Sequence, residues 1–322
     1  MSTDATAWAN RYQAGQQLLA DIDLQVLAAC LQHRLLTVEH LHQLLTPTAS
    51  PRWMRAVTLR LSRAGLLDRV GMRGQARNRR WLWFPTPAGR ELVEPELAQR
   101  HHVMTPQRAG NVLQRHTLLT NTVGVAFVGH ARRLGHDCGP LDWDNEVAHR
   151  IGAGRGLRRL VTSDLRVRCW IHEPDADWVI TRLVEIDRDR YSPLQLHEKI
   201  RAYERMRGYT PPRRDGPAPK PAWTAYYPVF PKVLVVFADR PEHVLARRAA
   251  TLLDLCHGDP VLAPHLDELG VWCTTLPRLL DEGPYAPIWS TAQHDSTVDL
   301  LGRPAAAQPT TAPAPVRAAR RR

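Results

Sequence analysis

Leu183-Val184-Glu185-Ile186-Asp187 is the stretch on which the reading of this chain turns. In an extended strand successive side chains alternate, so Glu185 and Asp187 share one face while Val184 and Ile186 pack on the other. A carboxylate between two such residues on an interior strand is costly to bury without a metal ion or a cation. The run from about Pro193 to Arg207 has helical spacing, with Leu196, Ile200 and Tyr203 as its buried stripe. Lys199 flanks that stripe, where its long stem can carry the ammonium back across the sheet edge. Only three of the 43 Lys and Arg residues are lysine, Lys199, Lys220 and Lys232, which makes the position of Lys199 more informative.

Outward from this segment, a helical run spans Val112 to Leu134 and a Gly/Pro break follows at Gly135 to Pro140. Strand-like pieces lie around Leu141 to Val147 and Leu165 to Ile171, with Asp164 at the head of the second. Downstream, Lys232 to Phe237 is continuously apolar, as expected of a fully buried strand. Pro241 to Leu255 is again helical, and Val271-Trp272-Cys273 fits a short final strand. Helix, three strands, helix, strand and helix predict a mixed α/β fold, a mixed sheet flanked by helices, in the order of restriction-endonuclease-like domains.

Phosphodiester cleavage needs a divalent ion held by hard oxygen ligands, with a cation or base placed to activate water and offset phosphate charge. Asp164, Glu185 and Asp187 are the expected ligands of Mg2+ or Mn2+, Glu146 is a possible fourth, and Lys199 completes the catalytic set. The competing reading is structural: Asp187-Arg188-Asp189-Arg190 as a solvated, self-paired turn, and Glu185 paired with an arginine.

The first hundred residues form a separate pattern. Val26, Leu27, Cys30, Leu31 and Leu35 recur at helical spacing between Asp23 and Leu36; Thr37 caps a short helix to Leu45; and Ser50-Pro51 opens a third helix to about Ala64. On that third helix Met54, Val57 and Leu61 share a face, with Arg52, Arg55 and Arg63 opposite and Leu59 among the arginines. Leu66 to Val70 and Trp81 to Phe84 read as a hairpin whose long tip carries Arg73, Arg77, Arg79 and Arg80, and Thr86 to Leu92 begins another helix. Three helices, a hairpin and a closing helix resemble a winged helix-turn-helix. Between Ser50 and Arg80 stand nine arginines and one acid, Asp68, the footprint of a helix in a DNA groove beside a wing that tracks phosphates. His40-Leu41-His42 resembles a metal-binding His-x-His pair, but helical residues two apart point away from each other, so these are read as ordinary helix histidines.

A formal charge of +11 and a pI near 10.0 imply a polyanionic partner. The most apolar helical candidate, Val123 to Ala131, is too short to span a bilayer and holds Gly124 and Gly129, so double-stranded DNA is favoured over a membrane. With no signal-peptide pattern at its start, the chain is expected to be cytoplasmic. Five scattered cysteines, none spaced C-x-x-C, predict neither zinc ribbon nor disulfide framework. The expected organisation is an extension over 1–20, a DNA-binding domain over 21–95, a connector over 96–110, a nuclease-like domain over 111–285 and a disordered basic tail over 286–322.

The N-terminal winged helix, the helix near His116, Trp143-x-x-Glu146, Glu185-x-Asp187-Arg188 and Lys199-x-x-x-Tyr203 together resemble the replication-relaxation family over roughly Leu24 to Leu255. That resemblance implies a protein of plasmids and integrative elements, assisting replication, DNA relaxation or conjugal transfer, with a relaxase or replication initiator as a partner and metal-dependent nicking as a possible activity. Against the usual nuclease pattern of Asp followed by Glu-x-Lys, this chain has Asp187 where the lysine would stand, and Lys199 would have to substitute from the helix. The alternatives are a winged-helix transcription regulator with a non-catalytic C-terminal domain, or an inert structural partner of a relaxase or initiator.

Overall fold

Capping residues and helical spacing place three short helices first: α1 (Asp21–His33), α2 (Val38–Leu45) and α3 (Pro51–Arg63). The structure, a computed structural model, describes residues 20–72, 80–96, 104–109, 114–153, 156, 159–212 and 220–305. Thr37 Oγ1 accepts from the His40 amide and Ser50 Oγ from the Trp53 amide, so both caps act as the sequence predicts. The helix expected to reach Leu36 stops at His33, because Arg34 takes a positive φ of 69°. Leu36 then exchanges two backbone hydrogen bonds with Trp83, of 2.8 and 3.1 Å, and lengthens the hairpin edge. That hairpin is β1 (Leu67–Gly71) paired antiparallel with β2 (Trp81–Pro85), and α4 (Pro87–Val93) follows it. Most of the hairpin tip, with Arg73, Arg77 and Arg79, lies outside the described residues.

The short α5 (Pro106–Ala109) and the long α6 (Gln114–Leu134) lead into a six-stranded mixed sheet. Its strands, side by side in chain order, are β3 (Trp143–Arg150), β4 (Leu160–His172), β5 (Asp177–Asp187), β6 (Lys232–Phe237), β7 (Trp272–Thr275) and β8 (Ser290–Thr291). β4 is antiparallel to both β3 and β5, β5, β6 and β7 are parallel, and β8 returns antiparallel on β7. The parallel connections run through α7 (Pro193–Gly208) and α8 (Glu242–Gly258), while α9 (Leu266–Leu269) and α10 (Leu276–Asp281) flank β7. β4 and β5 are longer than expected, so Asp164 lies inside its strand rather than at its head.

Alternation along the strands separates two cores. Leu165, Val167, Val184, Ile186, Leu234 and Val236 pack with α6 and the N-terminal helices, whereas Leu183, Val233 and Val235 pack with α7 and α8. The first core is continuous with the residues of α1 to α4, so the two expected domains share one interior. At the seam the His33 ring stacks on Trp143 with centroids 3.6 Å apart. Asn121 donates to the carbonyls of His33 and Leu35 at 3.0 and 2.8 Å, and Arg132 to those of Gln43 and Leu44 at 3.0 and 2.8 Å. Gly124 is required here, since a Cβ at that position would lie 2.5 Å from the Trp143 ring.

Two expected boundaries move. Ala109, placed in the connector, is buried with Leu35, Leu82, Phe84 and Leu118. Ile288, Trp289, Val298 and Leu300, placed in the tail, are core residues, because β8 and the turns after it close the sheet edge. Residues 306–322 lie outside the described residues.

Candidate functional site

The site grows from the antiparallel ladder of β4 and β5. One step beyond the paired Leu165 and Val184, Asp164 and Glu185 meet on the face covered by α7. That helix starts where the sequence directs: Ser192 Oγ accepts from the Gln195 amide, Gln195 Oε1 accepts from the Ser192 amide, and Pro193 takes the first turn. Its buried stripe of Leu196, Ile200 and Tyr203 sets its rotation, and residues four apart share a face. Lys199 and Tyr203 therefore reach the same carboxylate. Lys199 Nζ donates to Glu185 Oε2 and the Tyr203 hydroxyl to Glu185 Oε1. Lys199 Nζ also lies 3.9 Å from Asp164 Oδ1, and His116 Nε2, from α6, is 3.2 Å from the same oxygen. The Ile186 amide donates to Asp164 Oδ2 at 2.8 Å.

Burial dominates the electrostatics. Glu185 is 2% exposed, and loss of hydration pushes its carboxyl up to about 8 against the opposing pull of Lys199 and Tyr203. Burial also presses on the Lys199 ammonium, but the Glu185 and Asp164 carboxylates outweigh it and hold Lys199 above its ordinary value. Burial followed by the Glu185 charge keeps the Tyr203 phenol a firm proton donor, well above its usual range. For Asp164 the balance is reversed: burial raises it, yet His116, Lys199 and the Ile186 amide together hold it below the usual carboxylate range. Adjacent strands thus carry one readily ionised carboxylate and one that resists ionisation, with a lysine between them.

Asp187 occupies the Glu185 face but takes part in a different network. Arg248 of α8 donates to its Oδ2 from Nε at 3.1 Å and Nη2 at 2.6 Å, and also pairs with Asp189 at 2.6 Å. Burial holds the Asp187 carboxyl above its ordinary value despite that guanidinium. Glu146 is turned the other way by a positive φ of 56° and pairs with Arg34 at 2.6 Å. Of the sequence-derived set, the structure therefore brings together Asp164, Glu185 and Lys199, and leaves Asp187 and Glu146 with arginines. Among the described residues, no three His, Cys, Asp or Glu side chains are grouped so as to hold a metal ion. Two participants were not assigned roles from sequence. Tyr203 stands in the buried stripe and in the Lys199-x-x-x-Tyr203 motif, whose spacing of four signals the shared carboxylate, whereas His116 marks a helix of the resemblance and nothing local signals its contact with Asp164.

On α3, Met54, Val57 and Leu61 are buried, and Arg52, Arg55 and Arg63 are exposed. None of those three arginines is in an ion pair among the described residues, whereas Arg60 is held by the buried Asp23. Arg69 of β1 lies over the Trp81 and Trp83 rings, 4.3 and 5.3 Å from their centroids, and Arg80 at the base of the hairpin is exposed. His40 and His42 face different partners, Thr122 Oγ1 at 3.1 Å and the Ala49 carbonyl at 2.8 Å, as expected of helix histidines. No helix among the described residues is long and apolar enough to cross a membrane.

No curated protein and no solved structure matches the chain. The family model described as replication-relaxation matches residues 27–220, a span that begins in α1, takes in α6 and contains Asp164, Glu185, Lys199 and Tyr203. With that match over more than half of its length, the chain belongs to the replication-relaxation family.

Proposed function

We propose that this chain is a DNA-binding protein of a plasmid or integrative element, acting in replication, DNA relaxation or conjugal transfer. In this reading α1 to α4 and the β1–β2 hairpin form a winged helix-turn-helix, with α3 against double-stranded DNA and the hairpin beside it. The observation that carries the reading is the outer face of α3, where Arg52, Arg55 and Arg63 are exposed and engage no carboxylate among the described residues. Guanidinium groups left to solvent on one helix face suit phosphate contacts, which dominate affinity and make it salt-dependent. Replacing all three by glutamine is expected to weaken duplex binding in a gel-shift titration. It should also flatten the slope of log affinity against log salt by about 3, close to one for each phosphate contact removed. Unchanged affinity and slope would overturn the assignment.

Metal-dependent nicking is a second reading, favoured by Lys199 standing between Asp164 and Glu185. Asp187, bound by Arg248, does not fit the ligand set, but Mg2+ keeps several waters and binds through one or two carboxylates, which Asp164 and Glu185 could supply. Such an ion polarises a phosphodiester and acidifies a bound water. The chain's own part would be to keep Asp164 ionised through His116 and to present the Lys199 charge to the phosphate, while Tyr203 orients Glu185. Supercoiled plasmid incubated with Mg2+ or Mn2+ should convert to open circles, and Glu185→Gln or Lys199→Met should abolish the conversion. Intact plasmid under both metals, with DNA still shifted in a gel, would remove the enzyme reading and leave the binding one.

A further inference from the structure

A groove of about 850 Å3 runs along the outer face of α6, between that helix, α2 and the base of the hairpin. Its charged lining is Glu39, Arg80, Arg115, Arg132 and Arg133, four arginines against one carboxylate. Arg80 and Arg133 are exposed and make no ion pair among the described residues. Arg115 shares Asp239 with Arg188, at 2.6 and 2.8 Å, so that corner keeps an excess positive charge. From Arg115 to Arg133 the helix rises about 27 Å, the length of about eight nucleotide steps of 3.4 Å.

The two ends of the groove are what give it direction. Met72 and Arg80, at the base of the hairpin, lie at the same end as Arg115, since Met72 packs with Leu118, and Arg115 immediately precedes His116, which touches Asp164; Arg132 and Arg133 mark the other end. We propose that this groove is a second nucleic-acid site, holding the sugar–phosphate backbone of DNA along α6, from the end where the hairpin base and Arg115 meet, beside the carboxylate cluster, to Arg132 and Arg133. The occupant is a polyanion by charge complementarity, which excludes the chain's own C-terminal segment, since that carries Arg317, Arg320, Arg321 and Arg322 and no acid after Gly302. This inference rests on the DNA-binding reading and extends it from α3 to the body of the protein.

The test uses the full chain and fluorescence anisotropy with single-stranded and duplex DNA over a salt series. It compares wild type, the α3 triple-glutamine variant, and Arg80→Gln/Arg115→Gln/Arg133→Gln. The groove variant should keep its thermal melting curve and lose about 3 from the duplex slope, or about 2 from the single-strand slope. The arm that changes identifies which form of DNA lies in the groove. Arg80→Gln alone, which breaks no ion pair seen among the described residues, should lower the same slope by about 1. Unchanged slopes in the groove variants, with binding still lost in the α3 variant, would overturn the groove and leave the proposed function standing. Wild type that binds neither DNA form would overturn both. In a parallel titration with labelled poly-glutamate, loss of binding in the groove variant with both DNA slopes intact would overturn the groove as a DNA site in favour of an acidic protein partner.

Discussion

Lys199→Met keeps the length of the side chain and removes its charge, leaving Glu185, 2% exposed, with the Tyr203 hydroxyl as its remaining side-chain donor. Removing one partner of a buried ion pair costs about 3–5 kcal/mol when the other charge stays stranded. The stranded carboxyl can escape by binding a proton, so the loss must depend on pH. Burial has already raised Glu185 from an ordinary 4.5 to about 8 with the lysine in place. A carboxyl raised in the folded state contributes stability that is fully present below about 4.5 and is lost as pH climbs through about 8; over that window the change is worth at most about 5 kcal/mol. Without the lysine the acid form persists further. At pH 5.5 the variant should therefore lose little more than a hydrogen bond, about 1 kcal/mol. At pH 8.5 the wild-type carboxyl has begun to ionise against the lysine and the variant's has not, so the loss should grow to about 2 kcal/mol. Urea unfolding followed by tryptophan fluorescence at the two pH values measures both, and adding Glu185→Gln to the variant should remove the pH dependence. An equal loss of under about 1 kcal/mol at both pH values would refute the buried pairing of Lys199 with Glu185.

Three further outcomes follow from contacts away from that pair. Gly124→Ala forces a methyl group into the Trp143 ring and should destabilise the protein by about 1–3 kcal/mol; an unaltered melting temperature would mean that α6 and β3 do not approach so closely. Asn121→Ala leaves the buried carbonyls of His33 and Leu35 short of a donor, with an expected loss of about 1–3 kcal/mol, and hydrogen exchange should rise in α1 and α6 together; a rise confined to one helix would argue against the shared seam. Arg248→Met strands Asp187, whose side chain has no exposed surface, and should cost about 3–5 kcal/mol, most of it recovered by adding Asp187→Asn; no recovery would show that Arg248 acts through something other than Asp187.

The parts of the fold legible in sequence are those written in local periodicity. The Glu185/Val184 alternation, the caps Thr37 and Ser50, and the Leu196, Ile200 and Tyr203 stripe each depend on neighbours within a few residues, and each recurs in the structure. Mixed α/β order followed from them. The shared interior was not legible, because burial patterns say that Val26, Leu27, Val123 and Phe127 are covered without saying that they cover one another. Composition misled at the C-terminal boundary: the apolar residues Ile288, Trp289, Val298 and Leu300 are spread through polar turns and have no period to betray them. In the site, Lys199 and Tyr203 were close in sequence to Glu185, but Arg248 lies 61 residues from Asp187, and Arg34 and Glu146 come from opposite sides of the seam. An alternation argument identifies which carboxylates share a face; it cannot identify which of them meets an arginine.

That distinction changes what the Glu185-Ile186-Asp187 strand end is able to do. Had both acids been open to one ion, the strand would read as a ligand pair; with Asp187 bound to Arg248, the acids have separate tasks. Asp187 and Asp189 hold Arg248, and Asp189 holds Arg240 at 2.6 Å, tying α8 to the end of β5 and to the β6–α8 turn. Glu185 faces α7 and, through Lys199, Asp164. Any charge arriving at the cluster, a phosphate or a cation, must compete with Lys199 for the carboxylates or with the carboxylates for Lys199. An approaching phosphate would favour freeing the lysine, and a divalent cation would favour freeing the acids. A ligand that brings both signs together, as a metal-bound phosphodiester would on the nicking reading, meets the carboxylates and the lysine at once. On the nicking reading, the lysine bridge would make binding of metal and of DNA mutually favourable: in an anisotropy titration each should tighten the other, and the coupling should vanish in Lys199→Met.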